Sequence, residues 1–131
     1  MLTALATGLA GVAGTVPAHA ADRVQASSCY TTYVIYGDDG YPLARLDWSA
    51  NPNDCYAKGD SFRVCDLGKD GWGVEGDLRG TSRWSSTQGH DSPYCGGWSS
   101  GDLVEHTPYT VDMYLVKGLD SKPLEAIPVY S

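Results

Sequence analysis

Two pairs of adjacent residues, His90-Asp91 and Glu105-His106, are the side chains of this sequence best suited to acid–base chemistry. Each pair places a carboxylate beside an imidazole, and serines lie near both pairs in the sequence. A catalytic triad, however, is defined by geometry between distant parts of a chain and not by adjacency. The sequence contains no nucleophile elbow, zinc-protease motif or phosphate-binding loop. We therefore expect no catalytic residue, and a small hydrolase using His90 or His106 is only the third of three hypotheses.

The same stretch of polar residues can be considered as a metal site. Imidazole and carboxylate groups are ordinary metal ligands, but their spacing here matches no standard ligand set. The five side chains in question are His90, Asp91, Asp102, Glu105 and His106. We expect neither a metal ion nor a cofactor at this place.

A second acidic stretch, FRVCDLGKDGWGVEGDL at residues 62–78, raises the question of a calcium loop. Counted from Asp66, Asp70 and Gly71 fit the fifth and sixth positions of an EF-hand loop. The third position lacks an oxygen ligand, and Asp77 replaces the bidentate glutamate at the end. A looser calcium site at Asp66 and Asp70 stays open. Asp70-Gly71 is also a favoured turn dipeptide between alternating segments, which predicts a β-hairpin.

The cysteines of the chain predict disulfide bonds. There are four of them: Cys29, Cys55, Cys65 and Cys95. An even number is typical of small exported domains, and separations of 26, 10 and 30 residues do not fit the close pairs of a zinc site. Of the three possible pairings we favour Cys29–Cys55 with Cys65–Cys95, because a predicted hairpin brings the first two together. Phe62 and Val64 share one strand face, so the bridge of Cys65 would lie outside the main core and tie down the loop of Cys95.

Short alternating segments separated by Gly, Pro, Asp and Asn recur through the chain, which is typical of an all-β protein. Predicted strands cover residues 30–36, 43–49, 62–66, 72–79, 109–115 and 123–130. The last contains Pro123 and Pro128, which suit an edge strand. The unpatterned residues 80–108 are either functional or contain a short strand near Trp84.

These segments predict a single domain over residues 21–131. Its expected fold is a small antiparallel β-sandwich of six to seven strands, with an immunoglobulin-like layout and two disulfides. A small closed β-barrel is the alternative.

The aromatic composition favours a binding surface. Four Trp and nine Tyr accompany a single Phe, and Tyr and Trp suit partly hydrated surfaces because they combine an apolar body with a polar tip. The alternation predicts Trp48, Trp72 and Tyr109 in the core. Three aromatic residues of the Gly- and Ser-rich stretch are the candidate ligand-binding residues: Trp84, Tyr94 and Trp98. They could stack on a sugar ring or anchor a protein, or else fold back over the end of the sandwich.

Residues 1–20 predict an exported protein. They form a short apolar run that ends in Ala18-His19-Ala20, which is typical of a secretory signal peptide cleaved after Ala20, although the positively charged beginning of such peptides is missing. The net charge of −7, carried entirely by residues 21–131, disfavours nucleic acid and anionic membranes. We expect a secreted monomer, extracellular or associated with the cell wall, with no nucleic-acid partner and no membrane partner after cleavage.

Two stretches carry a resemblance to known proteins. GDSFRVCDLGKDGWGVEGDL at residues 59–78 and STQGHDSPYCGGW at residues 86–98 resemble small secreted proteins of actinobacteria, particularly streptomycetes. The resemblance implies a bacterial, exported, β-rich domain and carries over no functional residue.

The resulting hypothesis is a secreted, non-enzymatic binding module. Its ligand would be a protein or an extracellular or cell-envelope polysaccharide. The first alternative is a proteinaceous inhibitor of a secreted hydrolase, and the second is the small hydrolase introduced above.

Overall fold

Nine β-strands form the part of the chain that the structure describes. The computed structural model describes residues 30–51 and 59–131, together with the backbone of 21–26. The strands are β1 (Ala21–Ala26), β2 (Thr31–Tyr36), β3 (Pro42–Ser49), β4 (Ser61–Asp66), β5 (Gly73–Leu78), β6 (Trp84–Ser86), β7 (Tyr94–Cys95), β8 (Pro108–Lys117) and β9 (Asp120–Tyr130). Within these ranges no helix could cross a membrane. The predicted signal peptide, Cys29 and Cys55 lie outside the described residues.

The strands form two antiparallel sheets. One sheet has the order β1-β2-β3-β4-β7, and the other has the order β6-β5-β8-β9. The predicted all-β class and sandwich arrangement are confirmed, whereas the closed barrel is wrong because both sheets are open. β1 to β4 are successive neighbours in one sheet. The strand order therefore differs from the immunoglobulin layout, in which the third strand lies in the opposite sheet.

The core lies between the two sheets and follows the alternation of the sequence. In the first sheet Leu46 is opposite Val64, and Trp48 is opposite Phe62, with ring centroids 6.4 Å apart. The second sheet contributes buried side chains from three of its strands: Val74, Leu78, Val111, Met113, Ile127 and Val129. Trp48 also donates a hydrogen bond from Nε1 to the carbonyl oxygen of Tyr130 at 3.1 Å, which satisfies the polar atom of a buried ring.

The hairpin predicted for residues 62–78 is wrong. β4 pairs with β3 and β7, whereas β5 pairs with β6 and β8, so the connection 67–72 crosses from one sheet to the other. The turn chemistry itself is present, since Asp70 Oδ1 accepts a hydrogen bond from the Trp72 N–H at 2.9 Å and Gly71 has φ +77°. Alternation records which side of each strand faces the core, and it is the same for paired strands and for strands facing each other across a sandwich.

The disulfide predicted between Cys65 and Cys95 is confirmed. The two residues are opposite each other in the β4–β7 pair, on the face that points away from Val64 and the core. Arg45 Nη2 lies 3.2 Å from Cys65 Sγ and 3.5 Å from Cys95 Sγ. The bridge therefore fixes the long connection after β6 to the outside of the first sheet, as the position of Cys65 predicts.

Two further expectations about strands are confirmed. The residues around Trp84 form β6, an edge of the second sheet, and β9 with Pro123 and Pro128 forms its other edge. The expected six to seven strands are too few, since nine are formed in the described part of the chain: β1 was not predicted, and neither was β7, whose two residues are too few to show alternation.

Candidate functional site

A cleft of about 600 Å³ lies at one end of the sandwich. Three connections surround it: residues 67–72 between β4 and β5, residues 87–93 between β6 and β7, and the turn at Gly118 between β8 and β9. Connections at the end of a rigid β scaffold are where binding side chains are commonly presented. This cleft is therefore the candidate site.

Trp72 forms part of the cleft wall, and its predicted place in the core is wrong. The side chain is half-buried and lines the cleft. Trp72 lies one residue before β5, whose last inward-facing side chain at this end is Val74, so the ring lies beyond the core. Lys117 Nζ and Lys122 Nζ lie 5.8 Å and 4.3 Å from the ring centroid. Both lysines lie beside the turn that joins β8 and β9. The Trp72 ring therefore lies between this turn and the connection 67–72.

His90 lies on another wall of the cleft. Its ring is stacked on that of Tyr94, with centroids 3.8 Å apart and planes at 7°. The connection that carries His90 is anchored by two hydrogen bonds between Thr87 and Val74. The Thr87 N–H donates to the Val74 carbonyl oxygen at 2.9 Å, and the Val74 N–H donates to the Thr87 hydroxyl oxygen at 2.8 Å. Gln88 Nε2 also donates to the Gly118 carbonyl oxygen at 2.7 Å. The wall carrying His90 is thereby fastened to β5 and to the β8–β9 turn.

Asp66 is a nearly buried carboxyl group at the cleft, with 3% of the residue exposed. Burial raises the pKa of Asp66 from 3.8 to about 6; the hydrogen bond from the Gly68 N–H opposes this rise, and the charge of Asp70 adds to it. A carboxyl group with a raised pKa in a cleft can change its charge under mildly acidic conditions. The cleft therefore contains a titratable group that the charge pattern of the sequence did not distinguish from its neighbours.

Among the described residues, the fold brings no further acidic or histidine ligands to the calcium site considered at Asp66 and Asp70. One oxygen of each carboxylate already accepts a backbone N–H, from Gly68 at 3.1 Å and from Trp72 at 2.9 Å. Calcium takes six to eight oxygen ligands, and no group of three or more His, Cys, Asp or Glu side chains in the described ranges could hold a metal ion.

The three candidate ligand-binding aromatics lie in three separate places. Trp84 is 60% exposed and lies on the outer face of the second sheet, since the next residue, Ser85, points inward. Tyr94 is stacked on His90 at the cleft. Trp98 lies on the outer face of the first sheet, where the Arg63 guanidinium is 4.8 Å from its ring centroid. Only Tyr94 adjoins the cleft.

His90 and His106 also lie apart. His90 lines the cleft beside Lys117, the last residue of β8, whereas His106 precedes its first residue, Pro108. A strand of ten residues is about 30 Å long, so the two imidazoles belong to opposite ends of the sandwich. His90 and His106 are therefore too far apart to act together at one metal or one catalytic centre.

Sequence reasoning missed Trp72 and the two lysines as site residues. A signal was available for Trp72, because it follows the Asp70-Gly71 turn directly and is the first residue after it. Lys117 and Lys122 flank a turn whose position depends on how β8 and β9 pair, so neither could be assigned to the cleft without the topology.

Comparisons with models of protein families, with curated proteins and with solved structures found no match. The resemblance to secreted actinobacterial proteins thus stays a prediction from the two quoted stretches, and the site is interpreted from its geometry alone.

Proposed function

We propose that this protein is a secreted, non-enzymatic module that binds an extracellular or cell-envelope polysaccharide in the cleft at the end of the sandwich. The observation that carries this proposal is the half-buried ring of Trp72 in a cleft with many polar groups. A sugar ring offers an apolar face for stacking and a rim of hydroxyl groups for hydrogen bonds. Trp72 provides the first kind of contact, and Gln88, His90 and Asp91 provide the second.

The rigidity of the cleft supports binding. Thr87 fixes the β6–β7 connection to Val74, and Gln88 fixes it to Gly118. The Cys65–Cys95 disulfide fixes the far end of the same connection to the first sheet. A site whose walls are already ordered loses less conformational entropy when it takes up a ligand.

Tryptophan fluorescence and calorimetry with soluble chitin and cellulose fragments and with cell-wall polysaccharide test the proposal. We expect at least one glycan to bind the wild-type chain and the Trp84→Ala variant alike, because Trp84 lies on a different face. The Trp72→Ala variant should lose about tenfold or more in affinity, which corresponds to about 1.4 kcal/mol. Equal affinities for the Trp72→Ala and Trp84→Ala variants would place any binding elsewhere and contradict the proposal.

A second candidate, an inhibitor of a secreted hydrolase, is favoured by the loop at residues 100–107. Its Val104 is 69% exposed, yet the Val104 N–H is held by the Tyr109 hydroxyl at 3.0 Å and the Leu103 N–H by Asp60 Oδ2 at 3.0 Å. A protruding apolar residue on a fixed backbone suits insertion into an enzyme cleft. Inhibition of an amylase or protease that is lost in Val104→Asp and kept in Trp72→Ala would select this function.

The third candidate, a small hydrolase, is tested by the same glycans. Release of reducing ends that disappears in the His90→Ala variant would contradict a function by binding alone.

The proposal also covers the export of the chain and a second disulfide. We propose that residues 1–20 are removed on secretion, that Cys29 and Cys55 form a second disulfide, and that the monomer diffuses freely or stays at a bacterial cell wall. The uncharged apolar start, the even number of cysteines and the net charge of −7 support these points.

A further inference from the structure

The cations of the described chain fall into two groups. The arginine side chains are already engaged: Arg45 and Arg63 with Asp47, Arg79 with Asp112, and Arg83 with the carbonyl oxygens of Asp60 and Ser99. The lysines of the described ranges, Lys69, Lys117 and Lys122, have no carboxylate within ion-pair distance. Their ammonium groups are the positive charges left to meet a ligand.

All three of these lysines are at the cleft. Lys69 and Lys117 line it, and Lys122 places its ammonium group 4.3 Å from the centre of the Trp72 ring. Asp66, Asp70 and Asp91 also line or adjoin the cleft, and Asp120 is opposite Lys117 in the β8–β9 pair; Asp66 and Asp70 each use an oxygen to accept a backbone N–H. Two ammonium groups, those of Lys117 and Lys122, therefore lie over one ring without a carboxylate of the described residues in ion-pair distance.

The contact of the lysines with Trp72 can be exchanged for another. A cation–π contact at an exposed site contributes about 0.5–1 kcal/mol, and an ammonium group on a flexible four-carbon stem reorients readily. A negative group arriving beside the ring would therefore draw Lys117 and Lys122 toward itself at small cost. This movement would uncover the ring for a sugar at the same time.

We propose that the ligand of the cleft is an anionic saccharide, whose sugar ring stacks on Trp72 while its carboxylate or phosphate group lies between Lys117 and Lys122. This inference rests on the proposed polysaccharide-binding function and names the class of glycan. A neutral glycan would leave both ammonium groups competing with it for the ring.

The test compares polygalacturonate with its fully methyl-esterified form, which has the same chain without the charge. Poly(glycerol phosphate) and a glycosylated form of it distinguish a phosphate source from a carboxylate source and show whether the sugar ring is needed. The variants are Lys122→Gln, Trp72→Ala and, as a charge-matched control far from the cleft, Arg79→Gln. Calorimetry gives the affinity, and the fluorescence change that is lost on Trp72→Ala in a Trp84→Phe/Trp98→Phe background reports on Trp72, since the remaining Trp48 is buried.

We expect an acidic glycan to bind about tenfold or more tightly than its neutral counterpart, with a loss of about tenfold in Lys122→Gln and none in Arg79→Gln. Equal binding of acid and ester that still requires Trp72 would overturn the inference and leave the proposed function standing. Binding of acidic glycans that Lys122→Gln and Arg79→Gln weaken equally would also overturn it. If no glycan binds at all, both the inference and the proposed function fail.

Discussion

Gly76 of β5 and Val64 of β4 meet across the sandwich so closely that a Cβ atom on Gly76 would lie 2.7 Å from Val64 Cγ1. The same Cβ atom on Gly76 would also lie 3.2 Å from Met113 Sδ and 3.2 Å from Val111 Cγ1. The two sheets therefore approach each other closely at a position where one of them has no side chain. The alternation of β5 places Gly76 among the residues that face the core, where a larger side chain would be expected. The absence of a side chain allows the two sheets to lie this close together.

Replacing Gly76 by alanine should destabilise the fold. The added methyl group would push against three side chains in a packed core, and overpacking of this kind costs about 1–3 kcal/mol. Gly97→Ala is the matched control, because a Cβ atom there meets nothing within 4 Å. Denaturant unfolding measures both variants. An unchanged midpoint for Gly76→Ala would mean that the sheets can separate without cost.

The ion pairs of Asp47 and the ion pair of Asp112 should differ in their contribution to stability. Asp47 is fully buried and accepts hydrogen bonds from Arg45 Nη2 at 3.1 Å and from Arg63 Nε at 2.8 Å. Asp47→Asn leaves two guanidinium groups without a counter-charge and should cost about 2–4 kcal/mol, close to the range for broken buried pairs. Asp112→Asn is the control, since its partner Arg79 is largely exposed and surface pairs contribute little. Similar unfolding midpoints for the two variants would contradict this ranking.

Asp66 should make the fold less stable as the pH rises through the range of about 4 to 6. Its pKa is raised to about 6 in the folded state, chiefly by burial, so the folded chain holds a proton that the unfolded chain has already lost. The stability present at about pH 4 is lost as Asp66 ionises, up to a limit of about 3 kcal/mol.

Asp66→Asn isolates this contribution, because the amide keeps an oxygen for the Gly68 N–H and cannot ionise. The variant should match the wild type at about pH 4 and be the more stable of the two at about pH 7. Burial also raises the pKa of Glu75 and Asp77, so the difference between the two profiles, and not either profile alone, is the measurement. A constant difference across this range would show that Asp66 ionises normally.

Loss of the Cys65–Cys95 bridge should weaken the fold and loosen the cleft. The bond closes a sequence separation of 30 residues, for which the loop-entropy model gives about 3–4 kcal/mol. The double variant Cys65→Ser/Cys95→Ser, unfolded by denaturant under non-reducing conditions, measures this contribution. Stability equal to that of the wild type would show that the connection after β6 is held by its hydrogen bonds alone.

Non-reducing peptide mapping tests the pairing of all four cysteines. We expect one peptide pair linked through Cys65 and Cys95 and another through Cys29 and Cys55. Recovery of a Cys29–Cys65 link would contradict both assignments.

Most strands of this protein could be predicted from sequence, β1 and β7 excepted, whereas their partners could be predicted only for β2 and β3, which a short turn joins. Turn residues such as Asp70-Gly71 mark where a strand ends, and alternation marks which side chains point inward, since both depend on neighbours in the chain. Long-range contacts decide whether β5 pairs with β4 or faces it across the core. The alternation of the two strands is the same in both arrangements, so it does not distinguish them. The hairpin prediction failed for this reason, while the outward position of Cys65 was correct.

Prediction of the candidate site depended on strand pairing even more strongly than prediction of the fold. Trp84, Tyr94 and Trp98 are close in sequence, but they lie on extended segments attached to different sheets, so they reach three different places. Trp72, Lys117 and Lys122 are distant in sequence and meet only because β5, β8 and β9 are neighbours in one sheet. Proximity along an extended chain is therefore a poor guide to a shared site.

The prolines of β9 have a consequence for how copies of this protein behave together. β9 is the longest strand and an open edge, and a long open edge invites another chain to add a strand and begin a fibril. Prolines in sheets place their missing N–H on the open side, so Pro123 and Pro128 deny an incoming strand two of its hydrogen bonds. The two prolines of β9 should therefore hinder copies of this protein from joining edge to edge at high concentration.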